Sequence, residues 1–67
     1  MNKRLLKSKI ALHGDTQVAL AKDMGIHFSK LNLKMNEYTF RFNEEEIKFI
    51  KQRYNLTEEE VQDIFFN

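Results

Sequence analysis

The chain has no cysteine, no proline, no tryptophan and only two glycines in 67 residues. Without cysteine, neither a disulfide framework nor a thiolate metal site can supplement the core. The same absence suits a reducing cytoplasm. Without proline and with so little glycine, there is no room for Pro-rich or Gly/Ser-rich linkers, and nothing punctuates the chain into collagen-like or low-complexity segments. No internal repeat is present. No apolar run approaches the ~20 residues needed to cross a bilayer, and the N-terminus lacks the apolar stretch of a signal peptide. With 42% hydrophobic residues, the expectation is one small soluble domain over residues 1–67, close to the lower limit for a self-sufficient core.

Chemistry-bearing constellations are also scarce. His13 and His27 are the only histidines, and no HExxH-type pairing, Gly-rich phosphate loop or nucleophile elbow occurs. These absences point away from an enzyme, from a bound metal or cofactor and from a small-molecule substrate. His13, next to Gly14, reads as a solvated cap at a helix end.

What is present is helical patterning with clear stop and start signals. Helix 1 is expected over about Asn2 to Leu12, with Leu6 and Ile10 inward and Gly14 ending it in a left-handed conformation. Thr16 caps helix 2, which carries Leu20, Ala21 and Met24 on its inner face. Gly25 marks a sharp turn, and helix 3 follows over roughly His27 to Met35 with Leu31 as its core anchor. Two later helices carry a full set of N-terminal signals. Asn43 has Phe42 before it, Glu46 three residues on and Ile47 four on. Thr57 repeats the scheme with Leu56, Glu60 and Val61. Each is a capping box with a hydrophobic staple. Helix 4 then contributes Ile47, Ile50 and Tyr54 inward, and helix 5 Val61, Ile64 and Phe65. Glu44, Glu45, Glu58 and Glu59 fall in first turns, where the helix dipole favours negative charge. The fold class that follows is all-α with about five short helices.

The net charge of +1 hides an asymmetry: residues 1–36 hold seven basic and two acidic side chains, a balance of +5, and residues 37–67 hold four basic and eight acidic, a balance of −4. A basic N-terminal half suits presentation to phosphates. The acidic excess of the other half is in large part helix-capping charge. The two readings are compatible.

The stretch from Thr16 to Asn36, TQVALAKDMGIHFSKLNLKMN, combines these signals. A small alanine, a turn glycine four residues later and a leucine six beyond it let two helices cross closely at a steep angle. That is the arrangement of a helix-turn-helix, whose second helix can enter the DNA major groove. The order TQ-x-x-LAK-x-x-GI-x-x-S-x-LN-x-K-x-N resembles the lambda-repressor-like (Cro-type) helix-turn-helix proteins of bacteria and their temperate phages. It looks especially like the small Cro-like regulators of phages of Gram-positive bacteria. The tail, FNEEEIKFIKQRYNLTEEEVQDIFF, resembles the C-terminal part of the same proteins, so the likeness covers nearly the whole chain from about Leu6.

The resemblance implies a lambda-repressor-like fold with its helix-turn-helix at about 16–35, acting on double-stranded DNA in the cytoplasm of a bacterial host. It implies that His27, Phe28, Ser29, Asn32 and Leu33 face base edges. Ser29 and Asn32 have hydrogen-bonding groups for this, and Phe28 suits a thymine methyl. Gln17 with the first amides of helix 2, Lys30, Lys34, Asn36, Tyr38 and Arg41 are the phosphate candidates. Against base reading stands the composition of helix 3, which has no arginine or glutamine and sets Phe28 and Leu33 where base readers are expected. An exposed apolar pair marks a partner surface, so a rival reading is a modulator that binds a partner repressor's DNA-binding domain through Phe28 and Leu33. Phe49 and Phe66 lack an inward assignment and are interface candidates, since homodimers reading paired half-sites are the common arrangement for such domains.

Overall fold

The computed structural model describes residues 1–36 and 41–66. Among these the chain forms five α-helices: α1 Lys3–Leu12, α2 Gln17–Met24, α3 Phe28–Asn36, α4 Glu44–Arg53 and α5 Glu58–Phe65. The all-α expectation holds; α1 and α3 each begin one residue later than expected because a cap was counted as helix, and α3 also ends one residue later, at Asn36. Asn2 lies outside α1 as its N-cap, its side chain accepting from the Leu5 amide. His27 likewise precedes α3, and its carbonyl accepts the first amides of that helix, from Lys30 and Leu31.

Each helix starts at a side-chain cap. Thr16 Oγ1 accepts from the Ala19 amide. Asn43 and Thr57 form complete capping boxes with Glu46 and Glu60, so each glutamate returns a hydrogen bond to the backbone of its cap residue. Three helices end by one device, a residue of positive φ whose amide and the next amide turn back to the last carbonyls. Gly14 (φ 64°) ends α1, Gly25 (φ 75°) ends α2 and Asn55 (φ 51°) ends α4. The reverse bonds run from Asp15 to Ile10, from Ile26 to Ala21 and from Leu56 to Lys51, at 3.0, 3.0 and 2.9 Å. Glycine takes this conformation without steric cost, and asparagine is the residue that tolerates it next best.

Every helix supplies at least one fully buried side chain to a single core: Leu6 from α1, Leu20 from α2, Leu31 and Met35 from α3, Ile50 from α4 and Ile64 from α5. Burial of each such side chain is worth roughly 1.5–3 kcal/mol. Met24, Ile47, Phe49 and Phe65 pack against this core while only partly buried. Phe49 thus has the inward contact that the sequence reading did not assign to it, while its other side remains partly open. Phe42 stands edge-on to Phe65 with ring centroids 5.6 Å apart, which ties the start of α4 to the end of α5. α2 packs on α3, and α5 packs on both α1 and α4. The N-terminus is tied down as well, the Asn2 amide donating to the Ile64 carbonyl at 2.6 Å.

Polar contacts join the basic and acidic halves. Lys9 pairs with Glu60, and Lys34 with Glu46 at 2.9 Å. The two capping-box glutamates therefore each cap their own helix and also hold a lysine from the other half. In the opposite sense, Arg53 at the end of α4 reaches Asp15 through Nε (2.8 Å) and Asp23 through Nη1 (2.5 Å). Tyr54 Oη donates to the same Asp15 oxygen at 2.7 Å. The charge asymmetry is thus in part an internal device that fixes α1, α2 and α3 against α4 and α5.

Candidate nucleic-acid interface

The geometry around Gly25 is set by local chemistry. Ala21, 1% exposed, leaves room at the α2–α3 approach, and the left-handed Gly25 brings the chain round in three residues before α3 begins. Helical periodicity then divides α3. Leu31, Lys34 and Met35 face inward, and Phe28, Ser29, Lys30 and Asn32 are exposed, as is His27 just before them. Of the five proposed base readers, four are exposed. Leu33 is half-buried, and Phe28 is 42% exposed, so the apolar pair does not form an evenly open surface.

The polar groups at the start of α3 are organised among themselves. His27 Nδ1 accepts from the Ser29 amide at 3.1 Å and lies 2.8 Å from Ser29 Oγ. The imidazole thereby does the work of a serine or aspartate cap. With the ring proton on Nε2, the one lone pair of Nδ1 is shared between the Ser29 amide and the Ser29 hydroxyl, the hydroxyl oxygen keeps its lone pairs as acceptors, and Nε2–H is a donor. At the other end of the helix, Asn36 Nδ2 donates to the Asn32 carbonyl (2.8 Å) and to Asn32 Oδ1 (3.3 Å). Asn36 Oδ1 accepts from Lys3 Nζ at 2.6 Å.

The phosphate candidates divide. Gln17, half-buried, opens α2 behind the Thr16 cap, and Lys30 and Arg41 are exposed. Tyr38 lies outside the described residues. Lys34 is the clear correction. Its side chain is 8% exposed and its ammonium is held by Glu46, with the Arg41 carbonyl 3.4 Å away. It points into the molecule and cannot meet a phosphate without breaking that pair. Asn36 is half-buried with both ends of its amide engaged, which also removes it from simple phosphate contact. Arg4, Lys7 and Lys22 are exposed basic side chains of the same half.

Sequence reasoning missed the Asp15–Arg53–Asp23–Tyr54 cluster, which braces both ends of α2 against the end of α4. The Arg53 guanidinium, with help from the Tyr54 hydroxyl and the Thr16 amide, holds the Asp15 carboxyl well below the usual carboxylate range despite its burial. Burial, followed by the bond to Asp15, pushes the Tyr54 phenol well above its ordinary value. Lys9 and then the Thr57 amide hold Glu60 down to about 2. His13, at the end of α1, is exposed, as expected, and its ring lies 5.2 Å from that of Tyr54.

Of the remaining interface candidates, Phe66 is 64% exposed. It borders a cleft of about 130 Å³ with Met1, Arg41, Phe42, Ile47 and Phe65. Leu12 and Val18 are also exposed apolar residues. Among the described residues, no helix is long and apolar enough to cross a membrane, and no group of three or more histidine, aspartate or glutamate side chains converges as a metal site. Compared with protein-family models, curated proteins and solved structures, the chain matches none.

Proposed function

We propose that this chain is a sequence-specific DNA-binding regulator of the lambda-repressor-like kind, a Cro-like repressor acting in a phage or prophage genetic switch in the bacterial cytoplasm. The observation that carries the reading is the α2–Gly25–α3 unit: a close helix pair, a left-handed glycine between, and polar residues displayed along the exposed side of the second helix. In this mechanism α3 enters the major groove, and Ser29 and Asn32 meet base edges while Phe28 meets a thymine methyl. The N-terminal amides of α2 with Gln17 hold a phosphate. Lys30, Arg4 and Lys7 add positive charge, and bound protein represses by occluding a promoter.

The test is fluorescence anisotropy of the purified chain on duplexes selected from a random library, at low and moderate salt. Sub-micromolar, sequence-selective binding that weakens steeply with salt supports the reading, because phosphate neutralisation releases counterions. Binding with no sequence preference, or none at all, overturns it. One observation favours a second reading: Phe28 is substantially exposed at the start of a helix without arginine. A modulator docking on a partner repressor would use that face. In that case Phe28→Ala abolishes a protein complex, and Ser29→Ala and Asn32→Ala leave it intact.

A further inference from the structure

A carboxamide is nearly symmetric in shape, so the way it faces is dictated by its partners. Two partners fix Asn36. The Lys3 ammonium can only donate, so the atom 2.6 Å from it is Asn36 Oδ1. The Asn32 carbonyl can only accept, so the atom 2.8 Å from it is Asn36 Nδ2. The two constraints come from different helices and agree. Asn36 Nδ2 then also faces the Asn32 side chain, 3.3 Å from Oδ1. If Asn32 were turned over, two amide N–H groups would confront each other. The direction of the chain Lys3 to Asn36 to Asn32 is therefore set by two partners together, the Asn32 carbonyl within α3 and the Lys3 ammonium on the opening residue of α1, of which the charged donor makes the stronger bond.

We propose that Lys3 and Asn36 are positioning residues for Asn32, fixing the order in which its donor and acceptor meet the DNA and so the base it selects. The inference rests on the DNA-binding reading above. With Oδ1 turned toward Asn36, Asn32 presents Nδ2 as its outward donor with one Oδ1 lone pair beside it. That pair matches N7 and N6 of adenine in the major groove. A carboxamide turned over offers the same groups in the opposite order and loses the match in the same docked pose. Lys3 and Asn36 thus act on recognition without touching a base.

The experiment uses the full chain and a duplex selected from a random library. Asn32→Ala first identifies the base pair that Asn32 reads. Affinities for all four base pairs at that position are then compared for wild type, Lys3→Met and Lys3→Arg. A bidentate asparagine–adenine pair discriminates by roughly 5- to 150-fold. Lys3→Met, which leaves only the Asn32 carbonyl to fix Asn36, should reduce this by at least about twofold, and Lys3→Arg, which is also donor-only, should restore it. Asn36→Leu, measured alongside, should reduce it to about threefold or less. If Lys3→Met lowers affinity equally for all four base pairs and merely flattens the salt dependence, Lys3 is a phosphate contact and the proposal is overturned. If wild type selects no sequence, the DNA-binding reading itself fails, and this inference with it. A measurement without DNA guards against a disturbed fold. The Asn36 side-chain NH2 resonances should shift in Lys3→Met while the backbone amides of α4 and α5 stay in place; unchanged Asn36 resonances contradict the relay.

Discussion

Replacing Asp15 by asparagine tests how much the clasp between the ends of α2 and α4 contributes. Asp15 Oδ2 takes both Arg53 Nε and Tyr54 Oη, and Oδ1 takes the Thr16 amide at 2.8 Å. Asparagine can retain the Thr16 bond through its oxygen, but it loses the charge and sets an NH2 against two donors. Hydrogen bonds to charged groups contribute about 1.5–3 kcal/mol. The Asp15 and Arg53 side chains are 14% and 22% exposed, and Arg53 keeps Asp23, so solvent screening and the surviving pair bring the expected loss to about 2 kcal/mol. A domain of this length has roughly 3–10 kcal/mol of stability in all. The melting temperature should therefore fall by about 8–16 °C, read by circular dichroism. The loss should depend on pH in a defined direction. Because the folded Asp15 carboxyl titrates below its unfolded value near 3.9, its contribution is complete above that value and drains away as pH falls toward the folded one. The gap between wild type and Asp15→Asn should hold from pH 7 to about 5 and narrow below about 4. A variant melting within ~2 °C of wild type, or a gap that stays constant down to pH 3, would refute the reasoning.

Three other perturbations have defined outcomes. Lys34→Met removes one partner of a nearly buried ion pair and should cost about 2–3 kcal/mol in denaturant unfolding; it should leave the salt slope of DNA binding unchanged, whereas loss of a phosphate contact lowers that slope by about one. Asn55→Ala forces a Cβ-bearing residue with no side-chain amide into the left-handed conformation and should destabilise by about 1 kcal/mol, while Asn55→Gly should fall within ~0.5 kcal/mol of wild type; equal melting of wild type and the alanine variant contradicts the strain argument. The raised Tyr54 pKa stabilises the fold fully below the ordinary tyrosine value near 10 and is lost as pH rises above it. In absorbance titration at 295 nm, the Tyr54 component, isolated by difference from Tyr54→Phe, should appear only together with alkaline unfolding, and an ordinary titration in the folded protein would be inconsistent with the bond to Asp15.

Caps and staples were legible because they are local: Asn43 with Glu46, and Thr57 with Glu60, declare themselves within four residues. The same holds for Gly14 and Gly25, whose flexibility marks helix ends directly. Asn55 carried a weaker signal, since asparagine is as common in turns and caps as at left-handed positions. Lys34 was misplaced although its position was readable. It lies three residues after Leu31 and next to Met35, on the inward stripe of α3, and the charge of its side chain outweighed that periodicity. The Asp15–Arg53 and Lys3–Asn36 contacts join residues 38 and 33 positions apart. No spacing rule announces such partners, because they depend on how the helices pack. Periodicity placed Leu31 inward, whereas the outward placing of Ser29 and Asn32 came from the resemblance to helix-turn-helix proteins; both side chains are exposed. What organises those two residues, the His27 cap and the Lys3–Asn36 relay, was not legible.

The central claim is that the start and exposed side of α3, with the N-terminus of α2, form a DNA-reading face. Nuclear magnetic resonance titration of the labelled chain with a library-selected duplex addresses it residue by residue. The account predicts shifts concentrated at Thr16 to Val18 and from His27 to Asn32, with the helix starts at Asn43 and Thr57 left unperturbed. Shifts centred on Phe66 and the cleft between α4 and α5, or none with any duplex, would contradict it.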